Sequence, residues 1–185
     1  TAPTGKPTTS GTYYLHVCSI DRAGNVRKSS SMYRLDINNP TCSITATGTL
    51  SNGWYRSDIS LSLTRDDVGS QVESYDLTTS TTATYNNNAS ASRTTDTDSL
   101  TYYGYVRDSV GRIGTCNLEV KRDTSGPTIT YTNTNNWYQS MPGNVVSVQD
   151  TSSGLSSIRY SWTTTTTDPT NITSTTFTGG TRIND

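Results

Sequence analysis

The 185-residue sequence predicts an all-β fold made of tandem two-sheet sandwiches, about seven short strands to each domain, and three observations carry that expectation. A stretch of sequence recurs about 87 residues further along the chain. Apolar residues alternate with period two in short runs, the pattern of half-buried strands. Between the runs stand clusters of Asn, Asp, Gly and Ser that form turns, and nothing of helical length has a 3.6-residue period.

The repeat is specific enough to align. Thr12-Tyr13-Tyr14-Leu15-His16-Val17 returns as Thr101-Tyr102-Tyr103-Gly104-Tyr105-Val106, offset by 89. Asp21-Arg22-Ala23-Gly24-Asn25-Val26 returns as Asp108-Ser109-Val110-Gly111-Arg112-Ile113, and Asp36-Ile37-Asn38-Asn39-Pro40-Thr41 as Asp123-Thr124-Ser125-Gly126-Pro127-Thr128, both offset by 87. Trp54-Tyr55 echoes in Trp137-Tyr138 at an offset of 83. A period of this length is too long for a solenoid and suits a small sandwich.

Taken in order, strands are expected at Cys42, Ile44 and Ala46; at Ile59, Leu61 and Leu63; at Tyr75 and Leu77; at Tyr102, Gly104 and Val106; and at Cys116, Leu118 and Val120. Turns are expected at Ser51-Asn52-Gly53, at Asp66-Asp67-Val68-Gly69 and at Asn86-Asn87-Asn88. One whole domain then runs from 37 to 123. Residues 1–36 match only its closing hairpin, and residues 124–185 match only its first strands, at Ile129 and Tyr131, at Val146 and Val148, and at Ile158, Tyr160 and Trp162. An isolated hairpin is marginal in water, and a sandwich lacking strands exposes edges and core. The expectation is that residues 124–185 are completed by residues 1–36 of the next copy, head to tail, either within one longer polypeptide or by strand complementation between chains. Tyr13, Leu15, Val17, Tyr33 and Leu35 would then meet Ile129, Val146, Val148, Ile158, Tyr160 and Trp162.

Composition narrows the function. Only 30% of residues are hydrophobic and the net charge is −1, so disorder is opposed by the alternation and by the β-favouring Thr, Tyr and Val. The 14 basic residues are scattered, which gives no electrostatic footprint for nucleic acid and reads each Arg and Lys as part of a solvated strand face. No run approaches the roughly 20 apolar residues a membrane span needs, no signal-peptide pattern opens the chain, and Thr1 suggests a mature or excised piece.

The Asp21-Arg22-Ala23-Gly24-Asn25 turn, followed by a strand and an Asp-x-x-x-Pro-Thr linker, resembles the immunoglobulin-like repeat domains of large bacterial surface proteins. Asp36-Ile37-Asn38-Asn39-Pro40 and Asp123-Thr124-Ser125-Gly126-Pro127 look like two interdomain linkers of that group, and Gly154-Leu155 before Ile158-Arg159-Tyr160 looks like its strand-to-strand passage. Val110 and Arg112 depart from the turn pattern. The resemblance covers nearly the whole chain and implies architecture more than activity. It also implies that the first and last strands of residues 37–123 share a pole, which makes Cys42 and Cys116 a candidate disulfide suited to an extracellular compartment, with two buried free thiols as the alternative. Cys18 is then left over, either buried and free or used between copies.

No catalytic set, cofactor or metal site is assigned. His16 and Cys18 stand two apart on one strand face, roughly 7 Å from each other, which is too far for a nucleophilic pair. Asp66-Asp67 and Asp96-Thr97-Asp98 lack the ligand spacing of a calcium loop. Asp36 and Asp123 read as acceptors in hydrogen-bonded turns, with a weak interdomain calcium site as the alternative. Asn88-Ala89-Ser90 and Asn171-Ile172-Thr173 fit the N-glycosylation pattern, Thr163 to Thr167 could take O-linked sugars, and Lys6, Lys28 and Lys121 occupy no obvious core face for an isopeptide bond.

The leading functional expectation is a structural, non-enzymatic extracellular module, a repeat unit of a surface stalk, fibre or filament, whose partners are adjacent copies of itself. The alternative is an adhesin-type module recognising glycan or host protein through Trp54, Tyr55, Trp137, Tyr138 or Trp162. Against it, the recurrence of Trp54 at Trp137 favours core filling by these rings.

Overall fold

A computed structural model describes residues 4–132, 135–143, 146–160, 164 and 166. Trp162 and the Asn171 acceptor site lie outside the described residues. Twelve strands and no helix occur among them: β1 (Gly11–Ile20), β2 (Val26–Leu35), β3 (Thr41–Thr47), β4 (Leu50–Ser51), β5 (Trp54–Tyr55), β6 (Ile59–Asp66), β7 (Val72–Thr78), β8 (Ser90–Arg93), β9 (Thr97–Asp108), β10 (Ile113–Arg122), β11 (Thr128–Tyr131) and β12 (Val146–Gln149). They form sheets β3-β6-β8 and β4-β5-β10-β9-β7, and two separate two-stranded sheets, β1-β2 and β11-β12. The architecture is all-β and consistent with a β-sandwich.

By their internal contacts the residues divide into two compact units. The first comprises Thr1–Thr47, Ile59–Arg93 and Leu100–Glu119. Its core follows from period-two alternation: Ile59, Leu61 and Leu63 of β6 are buried while the serines and threonine between them are exposed, and Leu77, Tyr102 and Val106 are buried with them. Cys42 and Cys116 form a disulfide with Cα atoms 5.8 Å apart, so the free-thiol alternative is excluded. Gly104 makes room for it. A Cβ there would stand 2.6 Å from Cys116 Sγ and 2.6 Å from a Leu63 methyl, so the glycine is required by the bridge packed over it.

The β1-β2 hairpin belongs to this unit, in an unbroken antiparallel register from Gly11↔Leu35 to Ile20↔Val26. The register sets Tyr13, Leu15, Val17, Tyr33 and Leu35 on one face, and Tyr14, His16, Cys18, Ile20 and Met32 on the other. Val17 and Tyr33 are exposed and Tyr13, Leu15 and Leu35 half-buried. Cys18 is a free, exposed thiol, which removes the buried one of its two alternatives. Among the described residues no other strand pairs with either edge of the hairpin.

The second unit comprises Gly48–Asp58, Thr94–Ser99 and Val120–Asp185. The β4-β5 hairpin turns at Asn52 (φ 49°) and Gly53 (φ 83°), the two-residue turn with both central residues left-handed. β5 then pairs in parallel with β10 through Tyr55↔Arg122. Arg122 is a correction: it lies buried, its guanidinium 2.6 Å from Asp58 Oδ1 and 2.6 Å from Asp96 Oδ1, with Nε donating to the Ser57 carbonyl at 3.1 Å. A buried cation persists only when paired and fully hydrogen-bonded, and these three partners do that. Further along, β11 and β12 form at the positions expected for strands and pair antiparallel, and Val148 packs on Ile158 with Val146, Leu155 and Tyr160 around them. Ile129 and Tyr131 of β11 are exposed, and Ile158 contributes no named strand, only a bridge position, so the third strand anticipated there is not formed among the described residues.

The disulfide closes a loop of 74 residues, which the chain-entropy account values at about 4 kcal/mol. A Cys42→Ala/Cys116→Ala protein is expected to lose stability of that order in guanidinium denaturation, with Gly104→Ala costing a further ~1–3 kcal/mol in the bridged form by overpacking. An unchanged denaturation midpoint in both would show that the bridge carries no such weight.

Candidate carboxylate-capped loop site

Aspartates organise the loops, and they do so in matching sets. Asp21 Oδ1 accepts from the Ala23 and Asn25 amides at 2.9 and 2.8 Å, and Asp108 Oδ1 accepts from Val110 and Arg112 at 3.0 and 2.8 Å. In both turns the glycine that follows, Gly24 or Gly111, sits near φ +90° and donates its amide to the aspartate carbonyl. The Asn25 side-chain amide also donates to Asp21 Oδ2 at 2.8 Å, a bond the second turn lacks with Arg112 at that position; the backbone amides shared by both turns hold the loop without it. The linkers agree as closely. Asp36 accepts from Asn38 at 3.0 Å and from Ser70 at 2.7 Å; Asp123 accepts from Ser125 at 3.0 Å and from Ser153 at 3.0 Å. Asp67 takes the Gln71 amide at 2.7 Å, and Asp150 the Gly154 amide at 2.9 Å, with Gln71 and Gly154 at φ 78° and 75°. In each of these loops a carboxylate accepts from one or more backbone amides and so sets the local conformation.

Three of these carboxylates converge. One oxygen from each of Asp36, Asp67 and Asp108 lies within 4.8 Å of the others. Asp108 is fully buried and its Oδ2 has no hydrogen-bond partner, nor has Oδ1 of Asp67. None of the three has an ion pair to a basic side chain among the described residues. These are the residues that could hold a hard cation, since calcium takes oxygen ligands in flexible geometry and would neutralise carboxylates that otherwise repel. The ligands come from a linker, a loop and a hairpin turn, so the absence of a linear calcium-loop spacing at Asp66-Asp67 was no test of the site.

Hydrogen bonding from Ser153 holds the Asp123 carboxyl below its ordinary value of 3.8, against the opposing effect of burial, with further help from the Ser125 amide. Asp36 is lowered in the same sense by Ser70 and Asn38, and Asp21 by Asn25.

The other candidates are placed as follows. His16 stacks on Tyr14 with ring centroids 6.5 Å apart, and Cys18 is free and exposed. Trp54 is half-buried with the Lys121 ammonium 5.9 Å from its ring centroid. Trp137 is fully exposed, so the reading of that ring as core filling is corrected; Tyr138 is 41% exposed. Asn88 lies exposed, its side chain bonded to the Leu77 carbonyl and the Ser90 amide. No protein-family model matches this chain, and no curated protein matches it in sequence.

Two measurements follow. Because the Asp123 folded-state pKa is depressed, its contribution is complete above 3.8 and is lost as pH falls through the lowered folded value. Asp123→Asn is expected to flatten the acid limb of a stability-against-pH profile, and an unaltered limb would remove Asp123 from the acid response. For the carboxylate trio, millimolar calcium is expected to raise the melting temperature of the native chain and to leave that of Asp108→Asn unchanged. A native melting temperature indifferent to calcium would assign the trio to turn chemistry alone.

Proposed function

We propose that this chain is a structural extracellular module, a repeat unit of a surface stalk, fibre or filament assembled from end-to-end immunoglobulin-like domains. The observation that carries the reading is the face of the β1-β2 hairpin. Tyr13, Leu15 and Val17 stand at the repeat positions of Tyr102, Gly104 and Val106, all three buried where they line a completed sheet. In the hairpin the same positions are half-buried or exposed. A face whose sequence equivalents are core asks for the other sheet of a sandwich to cover it.

Supporting features agree. The disulfide suits an oxidising, extracellular compartment. The parallel pairing of β5 with β10 brings an early strand beside the last one, as an immunoglobulin-like topology does. The matched carboxylate sets at Asp36 and Asp123 fix successive junctions in the same way, which favours a regular array. Nothing in the site resembles a nucleophile with its base, so the proposed role is mechanical. Each domain resists extension through strand pairing while its polar surface keeps the array soluble.

An adhesin-type role is the second reading, and the exposed Trp137 favours it, because an unpacked indole can stack on a sugar. Electron microscopy of the native material separates the two. Filaments with an axial repeat of two domains, about 70–90 Å from strand lengths typical of sandwiches, are the expected result. Compact monomers that bind a glycan would replace the structural reading with the adhesin one.

A further inference from the structure

The repeat gives more than a count of domains, because it assigns to each residue of the hairpin an equivalent in the sheet β4-β5-β10-β9-β7 and to each residue after 127 an equivalent in the strands β3 to β7. The second of these alignments is checked inside the structure. In β6 the Arg65 guanidinium lies 3.4 Å from the centroid of Tyr75. At an offset of 83 those positions are Val148 and Ile158, which pack together as an apolar pair. A cation on a ring has become an aliphatic on an aliphatic, and both members changed together.

Among the contacts that join the two halves of residues 37–123, three have equivalents with one partner in residues 1–36 and the other after residue 127. The disulfide Cys42–Cys116, closed over Gly104, becomes Ile129 and Ser29 over Leu15. Where the bridge is lost, the glycine beneath it has gained a leucine side chain and the first cysteine an isoleucine, so the volume is restored. The buried pair Arg122–Asp58 becomes Leu35 and Met141, both apolar, so neither half keeps a charge without its partner. Lys121 over Trp54 becomes Arg34 and Trp137, a cation and an indole again. Residues 1–36 and the segment after 127 thus carry mutually compensating exchanges, as two parts of one core do.

Resting on the array reading above, we propose that the β1-β2 hairpin of one copy docks on residues 127–160 of a second copy in a single register, with Leu15 against Ile129, Leu35 against Met141 and the Arg34 guanidinium over Trp137. The occupant of the hairpin face is therefore a second copy of this chain. The exposure of Ile129, Trp137 and Met141 in the single chain is the surface that this docking removes from water.

Cysteine trapping tests the register directly. Ser29→Cys with Ile129→Cys, in a Cys18→Ser, Leu15→Gly background, rebuilds between copies the geometry that closes at Cys42–Cys116. Mild oxidation is expected to give a ladder of dimers and higher oligomers on a non-reducing gel, collapsing with reductant. Ser30→Cys in place of Ser29→Cys, on the opposite hairpin face, is expected to give none. Monomers with both introduced thiols oxidised would overturn the assignment to a second copy, and free thiols in a protein that still associates by light scattering would overturn the register while leaving the array reading intact. A native chain that stays monomeric at millimolar concentration removes the array reading itself. Should the fourfold variant fail to retain its native Cys42–Cys116 bridge, single substitutions decide: Arg34→Glu is expected to weaken self-association about tenfold and Arg34→Lys to preserve it. Equal association by the native chain and Arg34→Glu overturns the pairing with Trp137.

Discussion

The carboxylate of Asp36 fixes how the chain passes from its first hairpin into the strands that follow, by taking the amide of Asn38 two residues on and that of Ser70 in a loop 34 residues away. Hydrogen bonds to a charged acceptor are roughly twice as strong as neutral ones, and a loop amide satisfied by a linker side chain need not find water. In a sequence with only 30% hydrophobic residues, such bonds set loop conformation that apolar packing would otherwise have to set. Asp76 works in the same way inside the fold: buried at 1% exposure, it takes both the amide and the hydroxyl of Thr84. With the loops held, the small aliphatic core of Ile59, Leu61, Leu63, Leu77 and Val106 has only the sheets to join.

That division of labour explains what the sequence made legible. Strands were readable because alternation is a direct image of the pleat: Ile59-Ser60-Leu61-Ser62-Leu63 can bury one face only as a strand. Turns were readable at Asn52-Gly53 and at Asp21 through Asn25, where residues tolerant of positive φ stand beside a carboxylate. The cysteine pairing became legible only once a strand order was assumed, because 74 residues of separation carry no geometric information by themselves.

What escaped the sequence has a common cause. Arg122 gave no sign of burial because its partners, Asp58 and Asp96, lie 64 and 26 residues away. The meeting of Asp36, Asp67 and Asp108 escaped for the same reason, since its members come from three segments that only the fold brings together. Trp137 is exposed despite its recurrence, because an equivalent position in a repeat does not carry equivalent burial with it. In a repeat the position is inherited and the environment is not; Trp54 has Lys121 beside it, whereas among the described residues no cation stands over Trp137.

The disulfide also determines how a module of this kind would carry load. Tension entering near Ile37 and leaving near Asp123 reaches Cys42 and Cys116 after a few residues and can cross between them through a covalent bond. The residues enclosed by the bridge, about 250 Å of contour if drawn straight, are withheld from extension even when their hydrogen bonds break. In an array under tension of the kind proposed, the oxidised form would be a nearly inextensible link and the reduced form a shock absorber with a long travel. The redox state of one bond would set the compliance of the whole strand.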